Sequence, residues 1–323
     1  MTVLILTCAE DVTTDMVVSV LHDRGVPVVR LDPADLPGQV SLSAEYAQGD
    51  FHGHLSTGDR VVSMTGLRSI WVRRPGRPAA HTTHLSEWLT AESEHALYGT
   101  LHSTGTRWMN HPVAAEQARR KPWQLRVAHH SGFAVPPTLI TTFPQIARDF
   151  AARYRDLVVK SVSGAHPDDP PMALPTTRVD PDADFAGVAA GPTLLQQRIP
   201  KRADIRLTCV GDELSAARKL SDPKEVDGRF TDNGALWSPA RIPDRIVGAV
   251  HAYMSLTQLA YGAFDFAEDD DGTWWFLECN QGGQFGFIEL ETGQPLAETV
   301  AAWLANRPAP RQGQPGSPPR RRG

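Results

Sequence analysis

Residues 262–280 have the sequence Gly-Ala-Phe-Asp-Phe-Ala-Glu-Asp-Asp-Asp-Gly-Thr-Trp-Trp-Phe-Leu-Glu-Cys-Asn, in which apolar and polar residues alternate on both sides of one Asp-Gly pair. Asp-Gly between alternating runs predicts a β-hairpin with a two-residue turn at residues 271–272. Pairing the strands outward from that turn puts Asp265 opposite Glu278 and Ala263 opposite Asn280. Because residues two apart in a strand share a face, we expect Asp265, Glu278 and Asn280 to converge on one surface of the sheet.

These three side chains predict a metal site. Carboxylates opposite each other on paired strands have Cβ atoms about 5 Å apart, so Asp265 and Glu278 repel unless one takes up a proton or a cation neutralises both. Asp, Glu and Asn offer hard oxygen ligands, which Mg²⁺ prefers together with water and substrate phosphates. The alternative is an exposed acidic face on an edge hairpin.

Cationic residues elsewhere in the chain are candidates for binding those phosphates. Lys160 ends the apolar run 157–160, just before a Ser/Gly loop whose backbone can wrap an anion. Arg206 lies two residues after Asp204, so the two share a strand face, where a guanidinium can meet phosphate oxygens or form a structural ion pair. Lys121, taken alone, is typical of a surface charge on a helix predicted over residues 117–130. The pair Arg73-Arg74 fits either a substrate-side basic pair or a salt bridge at a strand end.

Charge and composition exclude several classes of protein. The 323 residues carry 32 Lys and Arg against 37 Asp and Glu, a net charge of −5. Residues 307–323 hold five arginines and no acid, so the rest of the chain carries −10, which argues against a nucleic-acid enzyme with a wide basic groove. No apolar run is long enough to span a membrane. The three cysteines are too far apart in sequence for a zinc pattern or a disulfide framework, which predicts a cytoplasmic protein.

The chain divides by its pattern into three folded regions and a tail. Residues 1–107 begin with a strand–helix–strand unit, which predicts parallel pairing and an α/β region. Residues 108–190 and 191–306 mix helices with strands and include the hairpin. The tail, residues 307–323, is rich in Pro and Gly and is predicted to be disordered.

The order of these segments resembles the ATP-grasp superfamily. The branch it resembles most contains the glutamate ligases of a ribosomal protein and the peptide macrocyclases that make graspetides. The resemblance covers residues 110 to 300, and its motifs are Asn110-His111-Pro112, Lys121-Pro122-Trp123-Gln124-Leu125, Gly132 to Thr138, Val158-Val159-Lys160, Leu195 to Lys201, Asp204 to Asp212, Asp265, and Phe276 to Phe285. Ser69 to Pro75 and Gln284 to Gly293 are similar to the macrocyclases in particular.

The resemblance implies a fold and a set of site residues. The fold would be an N-terminal α/β pre-grasp domain followed by a two-lobed ATP-grasp fold. By the resemblance, the nucleotide would be held by Lys121 and Lys160 at the phosphates, by the backbone of Gln197 and Arg198 at adenine, and by Asp204. Arg206 and Arg229 would stabilise an acyl phosphate, and Asp265, Glu278 and Asn280 would hold Mg²⁺. The sequence departs from the family pattern at Gln197, usually acidic, and at Ser161, often Pro.

The activity implied is ATP-dependent ligation. An Asp or Glu side chain of a ribosomally made precursor peptide, with a leader and a core, would be activated as an acyl phosphate and attacked by Thr, Ser or Lys to close an ester or amide ring. The alternatives are a ligase that adds free amino acids to a protein or peptide, and a nucleotide-binding regulator without turnover. We expect no nucleic-acid or membrane partner, and a homodimer is left open.

Overall fold

The computed structural model describes residues 1–58, 60–78, 85–163, 174–180, 182–222, 226–227 and 234–306. The predicted disorder of residues 307–323 therefore lies outside the described residues. The strands are β1 (Thr2–Leu6), β2 (Val28–Leu31), β3 (Val40–Ala47), β4 (Asp50–Thr57), β5 (Arg60–Ser63), β6 (Leu67–Val72), β7 (Arg107–Met109), β8 (Thr138–Thr141), β9 (Leu157–Lys160), β10 (Thr177–Arg178), β11 (Thr193–Gln197), β12 (Ala203–Val210), β13 (Glu213–Leu220), β14 (Ser238–Pro239), β15 (Tyr261–Glu268) and β16 (Trp274–Asn280). The helices are α1 (Val12–Asp23), α2 (Ser86–Ser103), α3 (Pro112–Ala118), α4 (Lys121–His130), α5 (Pro144–Tyr154), α6 (Asp244–Thr257), α7 (Gly286–Thr292) and α8 (Leu296–Ala305).

A parallel sheet with strand order β2-β1-β6-β7 forms the N-terminal part of the fold. Its central strand β1 is apolar without alternation, because the sheet is covered on both faces. Val3 and Ile5 pack into one core, and Leu4 and Leu6 pack into another. The predicted strand–helix–strand unit and its parallel pairing are confirmed, and the small antiparallel sheet β3-β4-β5 contributes to the second core.

Two antiparallel sheets follow. One has the order β10-β9-β11-β8 and carries Lys160 at the end of β9. The other has the order β14-β13-β12-β15-β16 and packs its aromatic face, including Phe264, Phe266 and Phe276, against α3, α4 and α6. The fold class is thus mixed α/β, as expected. The last helix, α8, packs against the parallel sheet through Val300 and Leu304, so the two ends of the described chain share a core.

The single helix predicted over residues 117–130 is wrong, because the structure has two helices there, α3 and α4. Pro122 gives the reason. Inside a continuous helix the proline ring would clash with the carbonyl four residues earlier. In the first turn of a new helix there is no such carbonyl, and the missing backbone N–H of proline costs no hydrogen bond within the helix. The break makes Lys121 the first residue of α4.

The hairpin β15–β16 has the predicted pairs but a different turn. Glu268 pairs with Trp274, so the connection is longer than the two residues predicted. The pairing has a bulge: Phe266 pairs with Phe276 and Asp265 pairs with Glu278, so Leu277 is the extra residue on β16. Beyond the bulge, Asp265 lies opposite Glu278 and Ala263 opposite Asn280, as predicted. Phe276 and Cys279 both enter the core although they are three residues apart, which leaves Leu277 and Glu278 both facing the other side.

Candidate active site

A cavity of about 630 Å³ lies beside the outer face of the hairpin, a size typical of small-molecule sites. Its walls come from α4, β9, β12, β13, β15 and β16, and from segments between them. The polar side chains that line it are Arg119, Lys121, Gln124, Lys160, Ser161, Ser163, Thr176, Lys201, Asp204, Arg206, Lys219, Asp227, Asp265, Glu278, Asn280 and Gln281. Cations and carboxylates therefore face one another across a single space.

Asp265, Glu278 and Asn280 all line this cavity, as the alternation of the hairpin predicts. Burial raises the pKa of Asp265 to about 6, with the Arg206 guanidinium opposing the rise and the nearby Glu278 carboxylate contributing to it. No cluster of three His, Cys, Asp or Glu side chains suited to a metal occurs in the described parts of the chain, so an ion here would have two carboxylates and one amide as its protein ligands. A hard donor set with crowded carboxylates fits a small hard dication.

Arg206 forms a close ion pair with Asp265 across the site. Its Nη1 donates to both carboxylate oxygens of Asp265, at 2.7 and 2.8 Å, and its side chain is 14% exposed. Burial alone would lower the pKa of Arg206, but Asp265 holds it above its usual value. Among the described residues its Nε atom is buried without a hydrogen-bond partner, so within that part of the chain the guanidinium keeps unused donor capacity.

The two lysines reach the cavity from different elements. Lys121, only 17% exposed, donates to the carbonyl of Ser161 at 2.8 Å and lies 3.6 Å from Glu278. The structure thus places it in the site, whereas taken alone it was typical of a surface charge. Lys160 donates to Gln196 Oε1 at 2.9 Å. Burial lowers the pKa of Lys160 to about 8, partly offset by Glu278.

Asp204 shares the cavity face with Arg206 but binds another cation. It accepts two hydrogen bonds from Lys201 Nζ, at 2.7 and 2.9 Å, and it lies opposite Lys219 on β13. Since Arg206 binds Asp265 instead, each charge on this strand has a partner on a neighbouring segment.

The two residues expected at adenine lie beside the site. Neither Gln197 nor Arg198 lines the cavity within the described part of the chain. The backbone N–H of Gln197 donates to Pro137, and that of Arg198 donates to Asp156. A base that used these two donors would displace both of these backbone hydrogen bonds. Arg229 lies outside the described residues, so its role stays a prediction.

Three residues of the site had no role assigned from the sequence. Gln124 accepts from the N–H of Cys279 and donates to its carbonyl, both at 3.0 Å, and so holds the edge of β16 between Glu278 and Asn280. Gln196 positions Lys160, and buried Lys201 neutralises Asp204. The available signal was their place inside the motifs that carry the resemblance, next to Lys121, Gln197 and Asp204.

No helix in the described ranges is both long and apolar enough to cross a membrane. The MvdD pre-ATP grasp domain family matches residues 2–116. None of the curated proteins matches the chain.

The fold is similar to those of several solved structures. The macrocyclase MdnC bound with precursor peptide MdnA, from Microcystis aeruginosa MRC, is 26% identical, with a TM-score of 0.83 over 95% of this chain and 100% of that one. A Chryseobacterium gregarium RiPP-associated ATP-grasp ligase in complex with ADP and a leader and core peptide is 22% identical, with a TM-score of 0.83 over 95% and 98%. The ATP-grasp ligase PsnB complexed with minimal precursor, Mg and ADP is 20% identical, with a TM-score of 0.72 over 94% and 96%. The fold predicted from the resemblance, a pre-grasp domain followed by an ATP-grasp fold, is confirmed.

Proposed function

We propose that this chain, an ATP-grasp protein of the graspetide maturase type, uses ATP to close ester or amide rings in a ribosomally made precursor peptide. The macrocyclase likeness over nearly the whole chain supports the peptide substrate. The single observation that carries the chemistry is the meeting of Lys121, Lys160 and Arg206 with Asp265, Glu278 and Asn280 around one cavity.

The lysines and Arg206 are assigned to bind and orient the triphosphate. Lys121 and Lys160 reach the cavity from α4 and β9 and would hold the α- and β-phosphates, and Asp204 would contact the nucleotide. ATP bound to them would replace the interactions that the two ammonium groups now make with Ser161 and Gln196. A buried ammonium group gains from such an anion because burial disfavours its charged form, as the lowered pKa of Lys160 indicates.

Asp265, Glu278 and Asn280 would hold Mg²⁺, since they supply hard oxygens in one place and their carboxylates repel each other. Mg²⁺, when bound, offsets charge on the phosphoryl oxygens. The Nη1 atom of Arg206 already donates to Asp265. We assign the donors of Arg206 that Asp265 does not occupy to the oxygens of the acyl phosphate, a contact that stabilises charge developing during transfer.

The reaction proposed has two steps. An Asp or Glu carboxylate oxygen of the peptide attacks the γ-phosphorus of ATP, and ADP leaves. A Thr or Ser hydroxyl, or a Lys amine, of the same peptide then attacks the acyl carbon, loses its proton and expels phosphate. The protein mainly positions charged groups and neutralises them, and a docked leader raises the effective concentration of the core.

The test is mass spectrometry of a cognate precursor peptide after incubation with the protein, ATP and Mg²⁺. A short neighbouring reading frame with repeated Thr and Glu or Asp near its end identifies that peptide. We expect the peptide to lose one water for each bond formed, with one ADP released per bond.

Two other outcomes would contradict this function. A mass gain that requires a free amino acid would make the protein an amino-acid ligase. If the peptide mass is unchanged although ADP and Mg²⁺ binding is measured, the protein would instead be a nucleotide-binding regulator. The cytoplasmic location and the domain boundaries at residues 107, 190 and 306 stay predictions, and a homodimer stays open.

A further inference from the structure

Three consecutive peptide carbonyls follow Asn280, and each is held by a side chain from another part of the fold. Asn110 Nδ2 donates to Gln281 at 2.9 Å, and Tyr261 Oη donates to Gly283 at 2.7 Å. Between them, Arg73 Nη1 donates to the carbonyl of Gly282. The direction of every peptide plane in this loop is therefore set from outside the loop.

The N–H groups of two of these peptides donate to Asn280. Gly282 N donates to Asn280 Oδ1 at 3.0 Å, and Gly283 N donates to the Asn280 backbone carbonyl at 3.2 Å. An N–H donor requires an oxygen acceptor, so this contact decides which end of the Asn280 amide is oxygen. One lone pair of Oδ1 is used, and the second is left for a cation. The peptide between Gln281 and Gly282 thus joins Asn110 to Asn280, and such a chain of hydrogen bonds polarises its members.

The holding side chains are themselves tightly placed. Asn110, 3% exposed, also donates to the carbonyl of Tyr261 and accepts from the N–H groups of Ala260 and Tyr261. Arg73 lies 3.4 Å from Asp11, and both side chains are 1% exposed. Arg73 is therefore a buried structural cation rather than part of a substrate-side basic pair. It ties the loop to the end of the parallel sheet.

The loop also packs closely against its sheet at Gly283. A Cβ atom at Gly283 would lie 2.5 Å from the Cβ of Ala263, directly across from Asn280 on β15. Contacts this close exclude a side chain at residue 283, so the loop rests on the strand pair that carries the acidic residues.

We propose that Asn110, Arg73 and Tyr261 are positioning residues that aim Asn280 Oδ1 at the metal through the peptides of the loop 281–283. The inference rests on the proposed function in one respect, the role of Asn280 as a ligand. It adds that the amide is oriented by residues that never touch the ion.

The test removes one hydroxyl and measures metal binding directly. Tyr261→Phe deletes the donor to Gly283 and keeps the ring. Tyr253→Phe is the matched control, because Tyr253 is also buried and its hydroxyl lies next to the Cys279 side chain rather than a carbonyl of the loop. Mn²⁺ binding to the protein–ADP complex is followed by electron paramagnetic resonance, and the Kd for ADP is measured in EDTA. We expect Tyr261→Phe to weaken Mn²⁺ binding about tenfold and to leave the Kd for ADP in EDTA unchanged, with Tyr253→Phe altering neither.

Further variants keep the outcomes separate. If Asn280→Ala leaves Mn²⁺ binding unchanged, the assignment of Asn280 as a ligand fails. The positioning role is refuted, and the metal site stands, if Asn280→Ala weakens Mn²⁺ binding but Tyr261→Phe does not. The same conclusion follows if Tyr253→Phe weakens Mn²⁺ binding as much as Tyr261→Phe does. Should Tyr261→Phe not fold, Arg73→Lys, which keeps a charge opposite Asp11 but loses the guanidinium donor to Gly282, is expected to shift the Mn²⁺ Kd in the same direction. An unchanged Kd in that variant would refute the proposal.

Discussion

Lys160 is expected to make nucleotide binding weaken as the pH rises above 8. Burial lowers the pKa of its ammonium group to about 8 in the free protein, and phosphate oxygens next to it would hold the proton in the complex. Only the protonated free protein then binds well. At pH 9 about one molecule in ten carries the proton, so the Kd for ADP should rise about tenfold between pH 7 and pH 9.

The same shift predicts the pH dependence of stability. Folding lowers the lysine pKa from 10.5 to about 8. At about 1.4 kcal/mol per pKa unit, the protonated lysine destabilises the folded state by about 3 kcal/mol. This penalty is fully present below pH 8, where both states are protonated, and it is relieved between pH 8 and 10.5, where the unfolded chain binds more protons. Between pH 7.5 and pH 9.5, the unfolding free energy of the wild type should therefore rise by about 2 kcal/mol relative to that of a Lys160→Met variant.

Two measurements check this reasoning. Calorimetric titration of ADP at constant Mg²⁺ from pH 7 to 9.5 gives the Kd, with Lys160→Arg as the control because a guanidinium keeps its charge throughout. Urea unfolding of the wild type and Lys160→Met over the same range gives the stability. A flat Kd in the wild type, or an equal slope in Lys160→Arg, would refute the assignment of the titration to Lys160.

Three further outcomes are expected. Glu278→Gln should abolish peptide-dependent ADP release but hardly change the urea midpoint, since the carboxylate is 39% exposed and lies 3.6 Å from Lys121; near-normal ADP release would argue against the metal assignment. Gln124→Ala should lower the unfolding free energy by about 2–4 kcal/mol, because it leaves the N–H and the carbonyl of Cys279 without their partner, and an unchanged urea midpoint would contradict this. Arg206→Lys should lower kcat about a hundredfold with the ADP Kd retained, and a loss confined to the KM for the peptide would instead assign Arg206 to peptide binding.

In the hairpin β15–β16, the local sequence pattern predicts which residues share a face, but it does not predict the length of the turn or the bulge. The alternation of β15 and β16 was enough to place Asp265, Glu278 and Asn280 on one face, because the side-chain period of a strand is a local property. The turn was predicted too short by the same reasoning. The pairing at the site was still correct because a bulge near Leu277 compensates for the longer connection. The sequence contained no local signal for that bulge, which follows from Phe276 and Cys279 both being buried in the core.

The roles of single cations were less predictable than the acidic face. The sequence alone favours a surface position for Lys121 and predicts one long helix around Pro122, whereas Pro122 lies in the first turn of α4. The resemblance to the ATP-grasp superfamily placed Lys121 at the phosphates, and the structure brings it to the cavity.

The sequence by itself determined the properties that repeat within a few residues: the strand–helix–strand start and the shared face of Asp265, Glu278 and Asn280. What only the tertiary structure decided was which distant segments meet. Lys121, Lys160 and Arg206 come from a helix and two sheets, and Arg73 and Asn110 reach the loop after Asn280 from far earlier in the chain. Such contacts depend on how whole elements pack, since the free energy that holds them comes from cores shared between elements and not from the residues next to them in sequence.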